Sequence, residues 1–131
     1  MVLTISPLYV ALGALLLVVL TFWVIAHRRE KKIGLGDGGD SLLLRRMRAH
    51  GNAVETLPIG LLMLVSLEMS GGSAALLHGL GATLIVGRAL HAWGLLGSAG
   101  VSFGRFAGMI LTMLSFIGLI GCLLWRFAAA N

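Results

Sequence analysis

Three stretches of this chain, Met1 to Ala26, Met69 to Gly87 and Phe106 to Trp125, contain no Asp, Glu, Lys or Arg. Each is close to the ~20 residues that an α-helix needs to cross ~30 Å of hydrocarbon. Backbone groups in that medium have only one another as partners, so runs of this length dictate helix. A fourth run, Thr56 to Leu67, is too short to span by itself. It reaches spanning length only if its helix begins near Leu42. It then carries Arg45, Arg46, Arg48, His50, Asn52 and Glu55 toward the membrane. This conflict between hydropathy and polarity is the most informative feature of the chain.

The expected fold is all-α and integral to the membrane. It is a single domain over residues 1–131, a bundle of four transmembrane helices at about 6–27, 42–69, 74–96 and 105–127. Composition agrees: only 11% of residues are charged, against roughly 25% in soluble domains. Such a chain has too few charges to coat a soluble core. Pro7 falls in the first turn of helix 1, where its missing N–H costs nothing. Asp40 or Ser41 is placed to cap helix 2, and Pro58 lies inside that helix. Ser70-Gly71-Gly72-Ser73 makes a tight turn, and Gly97 to Gly104 a flexible loop. Gly104-xxx-Gly108 lets helices approach closely.

The net charge of +5 does not point to nucleic acid, because the cations form no soluble patch. They gather at His27-Arg28-Arg29-Glu30-Lys31-Lys32 and Arg45-Arg46-Met47-Arg48, flanking the first loop. The turn after helix 2 has none. The positive-inside bias then puts both termini on the non-cytoplasmic side. The first run lacks a basic n-region and reads as a retained helix. The arginines Arg28, Arg29, Arg45 and Arg46 are expected to snorkel to headgroups, and Trp23, Trp93 and Trp125 to act as interfacial anchors. The histidines have no metal-ligand spacing and Cys122 stands alone, so no metal site is expected. Gly34-x-Gly36-x-x-Gly39 has the letters of a dinucleotide fingerprint without its strand, and reads as a turn.

On a helix, Arg45, Arg48, Asn52 and Glu55 share one face. Helix 3 ends with Arg88 and His91, three apart, and Arg105 opens helix 4 at the same depth. Ionisable residues inside membrane helices are costly and mark function by default. The plainer alternative is an ion pair of Glu55 with Arg88 or Arg48 that holds the bundle together. Arg48, Arg88 and Arg105 outnumber the single acid at that level, Glu55, and the surplus suits an anion.

The run Arg48-Ala49-His50-Gly51-Asn52-Ala53-Val54-Glu55 resembles the R-A-x-x-N-x-x-E signature of the MAPEG family, membrane-associated proteins in eicosanoid and glutathione metabolism. Gly87-Arg88-Ala89-Leu90-His91 is similar to that family's G-R-x-x-H pattern on helix 3, and Gly36-Asp37-Gly38-Gly39 looks like small bacterial members. The resemblance implies a homotrimer in a bacterial inner membrane, with glutathione bound between subunits near the cytoplasmic face. It implies that Arg48, Asn52 and Glu55 bind glutathione, with Arg88 and His91 as supports. Arg105 would stabilise the thiolate as the catalytic residue. The implied activity is that of a transferase or peroxidase on small lipophilic electrophiles that arrive laterally from membrane lipid. The chain departs from several relatives in its tyrosines. Its only one is Tyr9, Thr56 follows Glu55, and Leu95 stands one turn beyond His91. Gly51 replaces an arginine of some prostaglandin synthases, so eicosanoid synthesis is not expected. The alternative is a non-catalytic membrane protein that keeps the fold and an anion or lipid pocket. A transporter is disfavoured, since no inverted repeat is visible.

Overall fold

The computed structural model describes residues 3–130, so Met1, Val2 and Asn131 lie outside the described residues. It consists of four helices: α1 (Ser6–Lys31), α2 (Ser41–Met69), α3 (Ala74–Gly97) and α4 (Phe103–Ala130). All four are long and apolar enough to cross a membrane. α2 and α3 form a central pair; α1 packs on both from one side and α4 from the other, and α1 and α4 do not meet. The helices alternate in direction, so one end of the bundle carries both loops, and the other carries the turn between α2 and α3.

Helix boundaries follow local chemistry. α1 continues past His27 because Arg28, Arg29 and Lys31 fill its last turn, where cations meet the negative end of the helix dipole. It stops at Lys32, whose left-handed backbone (φ 56°) returns its N–H to the Arg28 and Arg29 carbonyls. Of the two expected caps of α2, Asp40 is the one used. Its carboxylate accepts from the N–H groups of Leu42 (2.9 Å) and Leu43 (2.8 Å). His27, buried at the end of α1, places Nε2 3.2 Å from the same carboxylate.

The Asp40 cap gives a pH prediction. The Leu43 N–H holds the Asp40 carboxyl below its ordinary value of 3.8, desolvation partly opposes this, and His27 adds to the lowering. A depressed folded-state pKa means that the contribution is complete above the unfolded-state value. It is then lost as the pH falls through the folded-state one. Asp40→Asn should therefore flatten the acid limb of a thermal-stability profile in vesicles below about pH 4. An unchanged acid limb would show that the cap does not govern it.

At the turn end, α1 begins at Ile5, which offers no side-chain cap. The Glu68 carboxylate of α2 takes that role, accepting from Thr4 N (2.8 Å), Ile5 N (2.9 Å) and Ser6 N (2.7 Å). Tyr9 Oη lies 2.8 Å from His78 Nδ1. Arg126 donates to the Ser70 and Gly71 carbonyls, both at 2.6 Å, which otherwise lack partners at a helix end. This end is closed by its own side chains.

α3 is the most buried helix, and its longest apolar stretch is no more hydropathic than that of α2. Hydropathy is thus concentrated in α1 and α4, not in helices 1, 3 and 4 as their charge-free runs suggest. The reason is glycine. A Cβ at Gly87 would lie 2.9 Å from Thr112 N, and one at Gly104 3.0 Å from Leu90 O. At Gly94 it would press on Arg105 N, and at Gly108 on His91 N and Gly87 O. Hydrocarbon gives apolar helices no hydrophobic reason to associate, so backbone contact of this kind carries the packing.

Candidate functional site

The α3–α4 glycine seam leads directly to the polar end of the bundle. Gly94 lies against the start of α4, where Ser102 Oγ donates to Gly94 O (3.1 Å) and accepts from Arg105 N (3.4 Å). This fixes where Arg105 leaves α4. Its Nη1 donates to Gly100 O (2.6 Å) and Ala99 O (3.5 Å) of the preceding loop.

Between α2, α3 and α4 at this level is a cleft of about 410 Å³, within the ~300–1,000 Å³ range of small-molecule sites. Arg45, Arg48 and Asn52 line it from α2, His91 and Leu95 from α3, and Arg105 and Met109 from α4. Three guanidinium groups and an imidazole face it, with no carboxylate among the lining residues. Arg48 is exposed. Asn52 donates Nδ2 to the Arg48 carbonyl (2.8 Å), which leaves its amide oxygen as a hydrogen-bond acceptor in an otherwise cationic cleft.

Four of the six expected site residues therefore meet: Arg48, Asn52, His91 and Arg105. Glu55 does not join them. It is exposed and lies two turns beyond Arg48, about 10 Å farther along α2 than the cleft residue it most nearly lines up with. Arg88 does not line the cleft either. It is 1% exposed, packed behind the cleft, and donates Nε to Thr112 Oγ1 (2.7 Å), Nη1 to Thr56 Oγ1 (3.4 Å) and Nη2 to Gly108 O (3.4 Å). The two threonine hydroxyls in turn donate to carbonyls of their own helices. Arg88 thus ties α2, α3 and α4 together.

The bundle-holding ion pair of Glu55 with Arg88 or Arg48 is not formed. Among the described residues the salt bridges are His27–Glu30, His27–Asp40 and Lys31–Glu30. The lysine-free cleft also corrects the reading of Arg45 as a snorkelling residue. Its Nη1 donates to Leu96 O at 3.0 Å and its side chain lines the cleft. Its place on the Arg48–Asn52 face was the sequence signal for this. Ser98, Ala99 and Met109 carried no such signal and enter only through the loop and the rotation of α4. No group of three or more potential metal ligands occurs among the described residues.

An acid-free cleft of this kind is electrostatically suited to an anion of more than one charge, and such surroundings favour the ionised form of a group that is neutral in water. A thiol with a pKa near ~8.5 is lowered by neighbouring cations.

The chain is similar to known proteins. The family model described as the MAPEG family matches residues 6–125. Two relatives, each named inner membrane protein YecN, come from Escherichia coli strain K12 and from E. coli O6:H1 strain CFT073. Each is 40% identical over 90 residues, covering 69% of this chain and 69% of the relative. Their names state a location and no activity.

Proposed function

Because the chain belongs to the MAPEG family, we propose that its arginine cleft binds glutathione and promotes transfer or reduction reactions of lipophilic electrophiles. The observation that carries this reading is the cleft itself: Arg45, Arg48 and Arg105 with no acid among them. The carboxylates of the tripeptide suit Arg45 and Arg48, since guanidinium pairs with carboxylate through parallel hydrogen bonds. Asn52 offers an acceptor for its ammonium end. Arg105, on the opposite wall, suits the thiolate. The nucleophile is then the thiolate sulfur. In conjugation it forms a bond to an electrophilic carbon of the substrate, and the displaced group or the proton-accepting atom takes up the negative charge. Apolar substrates would reach it from lipid.

We further propose a homotrimer in the inner membrane, with the loop end cytoplasmic. An exposed Glu55 on a spanning helix supports an assembled state, since lipid does not tolerate a bare carboxylate. A glutathione that binds between subunits would then meet Glu55 from a neighbour, not from the cleft described above.

Calorimetry of the purified protein with glutathione tests the reading. Arg45→Gln and Arg48→Gln should each weaken binding about 10- to 100-fold, the worth of a hydrogen bond to a charged group. Undetectable binding by the wild type at millimolar glutathione would remove the enzyme reading. A non-catalytic membrane protein with an anion pocket would then stand in its place.

A further inference from the structure

Arg45 and Arg46 are neighbours on α2, and helix geometry turns them about 100° apart. Arg45 enters the cleft. Arg46 goes the other way and donates Nη1 to Trp23 O of α1 at 2.9 Å. Among the described residues no other protein acceptor meets its guanidinium, and no carboxylate pairs with it. Glu30 and Asp40 are with His27 and Lys31, and Asp37 accepts from Gly39 N. Glu68 is at the opposite end of the bundle, and Glu55 is more than two turns farther along α2.

Arg46 opens onto a groove of about 380 Å³ lined by Trp23, Leu42, Arg46, Trp93, Leu96 and Gly97. Both tryptophans are heavily exposed, Trp93 at 67%. On the other side of Trp93 is a second hollow of about 240 Å³, walled by Trp93, Gly97, Ser98, Ser102, Phe103 and Gly104. Trp93 and Gly97 belong to both. The first hollow offers one cation beside aromatic rings; the second has no charged residue and has Phe103 at its rim, 81% exposed. A Cβ added to Gly97 would meet nothing within 4 Å. Packing therefore does not require glycine there, and a side chain added at this position would enter space that both hollows border.

We propose that this double groove around Trp93 is a binding site for a single phospholipid. The phosphate diester is paired with the free N–H groups of Arg46, and the first part of an acyl chain lies past Trp93 against Phe103. The charge fits, one cation for one diester. The two hollows lie side by side at the loop end of the bundle, at the level of α2's first turns and the end of α3. Tryptophan and arginine at membrane interfaces anchor in this region. The site requires only that the protein lie in a bilayer. It is separate from the arginine cleft and does not depend on what that cleft binds.

Native mass spectrometry of the intact protein, titrated with phosphatidylglycerol, tests the proposal. Arg46→Gln should weaken retention of the lipid about tenfold, the lower end of the worth of a charged hydrogen bond. Gly97→Leu, which fills both hollows from a position with free space, should do at least as much. Arg29→Gln, which removes an equally basic exposed residue elsewhere at the same end, should change retention less than twofold. Equal losses in Arg29→Gln and Arg46→Gln would reduce the effect to general attraction and overturn the site. So would undiminished retention in Gly97→Leu. Diacylglycerol, without a phosphate, should bind the wild type at least tenfold more weakly. Displacement of the lipid by inorganic phosphate alone at equal concentration would assign the groove to a free anion and overturn the lipid.

Discussion

Arg105→Ala should slow glutathione-dependent turnover by about 10²-fold, the typical cost of removing one donor that stabilises a reacting anion. Glutathione affinity should change only a few-fold. The asymmetry follows from where the cations sit. Arg45 and Arg48 come from α2 and suit the carboxylates, whereas Arg105 stands across the cleft on α4. The carbonyls of Gly100 and Ala99 hold one nitrogen of Arg105, so the guanidinium is oriented by backbone and not by an acid that would cancel its charge. Its remaining donors are available to an anion. The check is a pH titration of thiolate absorbance in the complex, made alongside the rate. The variant should require a clearly higher pH to form the thiolate. If thiolate forms at the same pH in both proteins while calorimetry still detects glutathione, Arg105 is not its stabiliser.

Gly108→Ala should destabilise the bundle by at least 1–3 kcal/mol, the usual cost of overpacking. The added methyl would meet His91 N and Gly87 O, which are backbone atoms of a neighbouring helix and have no rotamer with which to retreat. Gly121→Ala is the matched comparison. It lies in the same helix with nothing within 4 Å of the new Cβ, and there alanine should be neutral or stabilising by up to about 1 kcal/mol. Resistance to unfolding by a denaturing detergent measures both. Gly108→Ala should also weaken glutathione binding, because His91 and Arg105 keep their positions through the same seam. If the two variants are equally stable, α3 and α4 are held by something other than backbone contact.

The two predictions rest on residues of very different visibility in sequence. Arg105 stands out as a cation at the edge of a long apolar run. Gly108 was visible as part of Gly104-xxx-Gly108, although the helix it meets was not. Glu68 as the cap of α1 had no sequence signal, because its partners are backbone N–H groups more than sixty positions away. Arg88 was legible as a membrane-depth cation, but its spacing from His91 suggested the cleft. Its true surroundings, two threonine hydroxyls and a carbonyl, depend on which side of α3 faces the interior.

Residue order alone is enough to show four helices long and apolar enough to cross a membrane. It also determined that the second of them brings a polar strip to its edge. Spacing along one helix sets the angles between that helix's own side chains, so the shared face of Arg45, Arg48 and Asn52 was available from the start. Spacing does not set how far a helix is rotated against its neighbours. Tertiary structure decided that rotation through the glycine contacts of α3 and α4 and the packing of α2 between α1 and α3. With it came the outcome for each charged group. Arg45 and Arg48 face the cleft, Arg46 faces the tryptophans, Arg88 is enclosed, and Glu55 is left exposed.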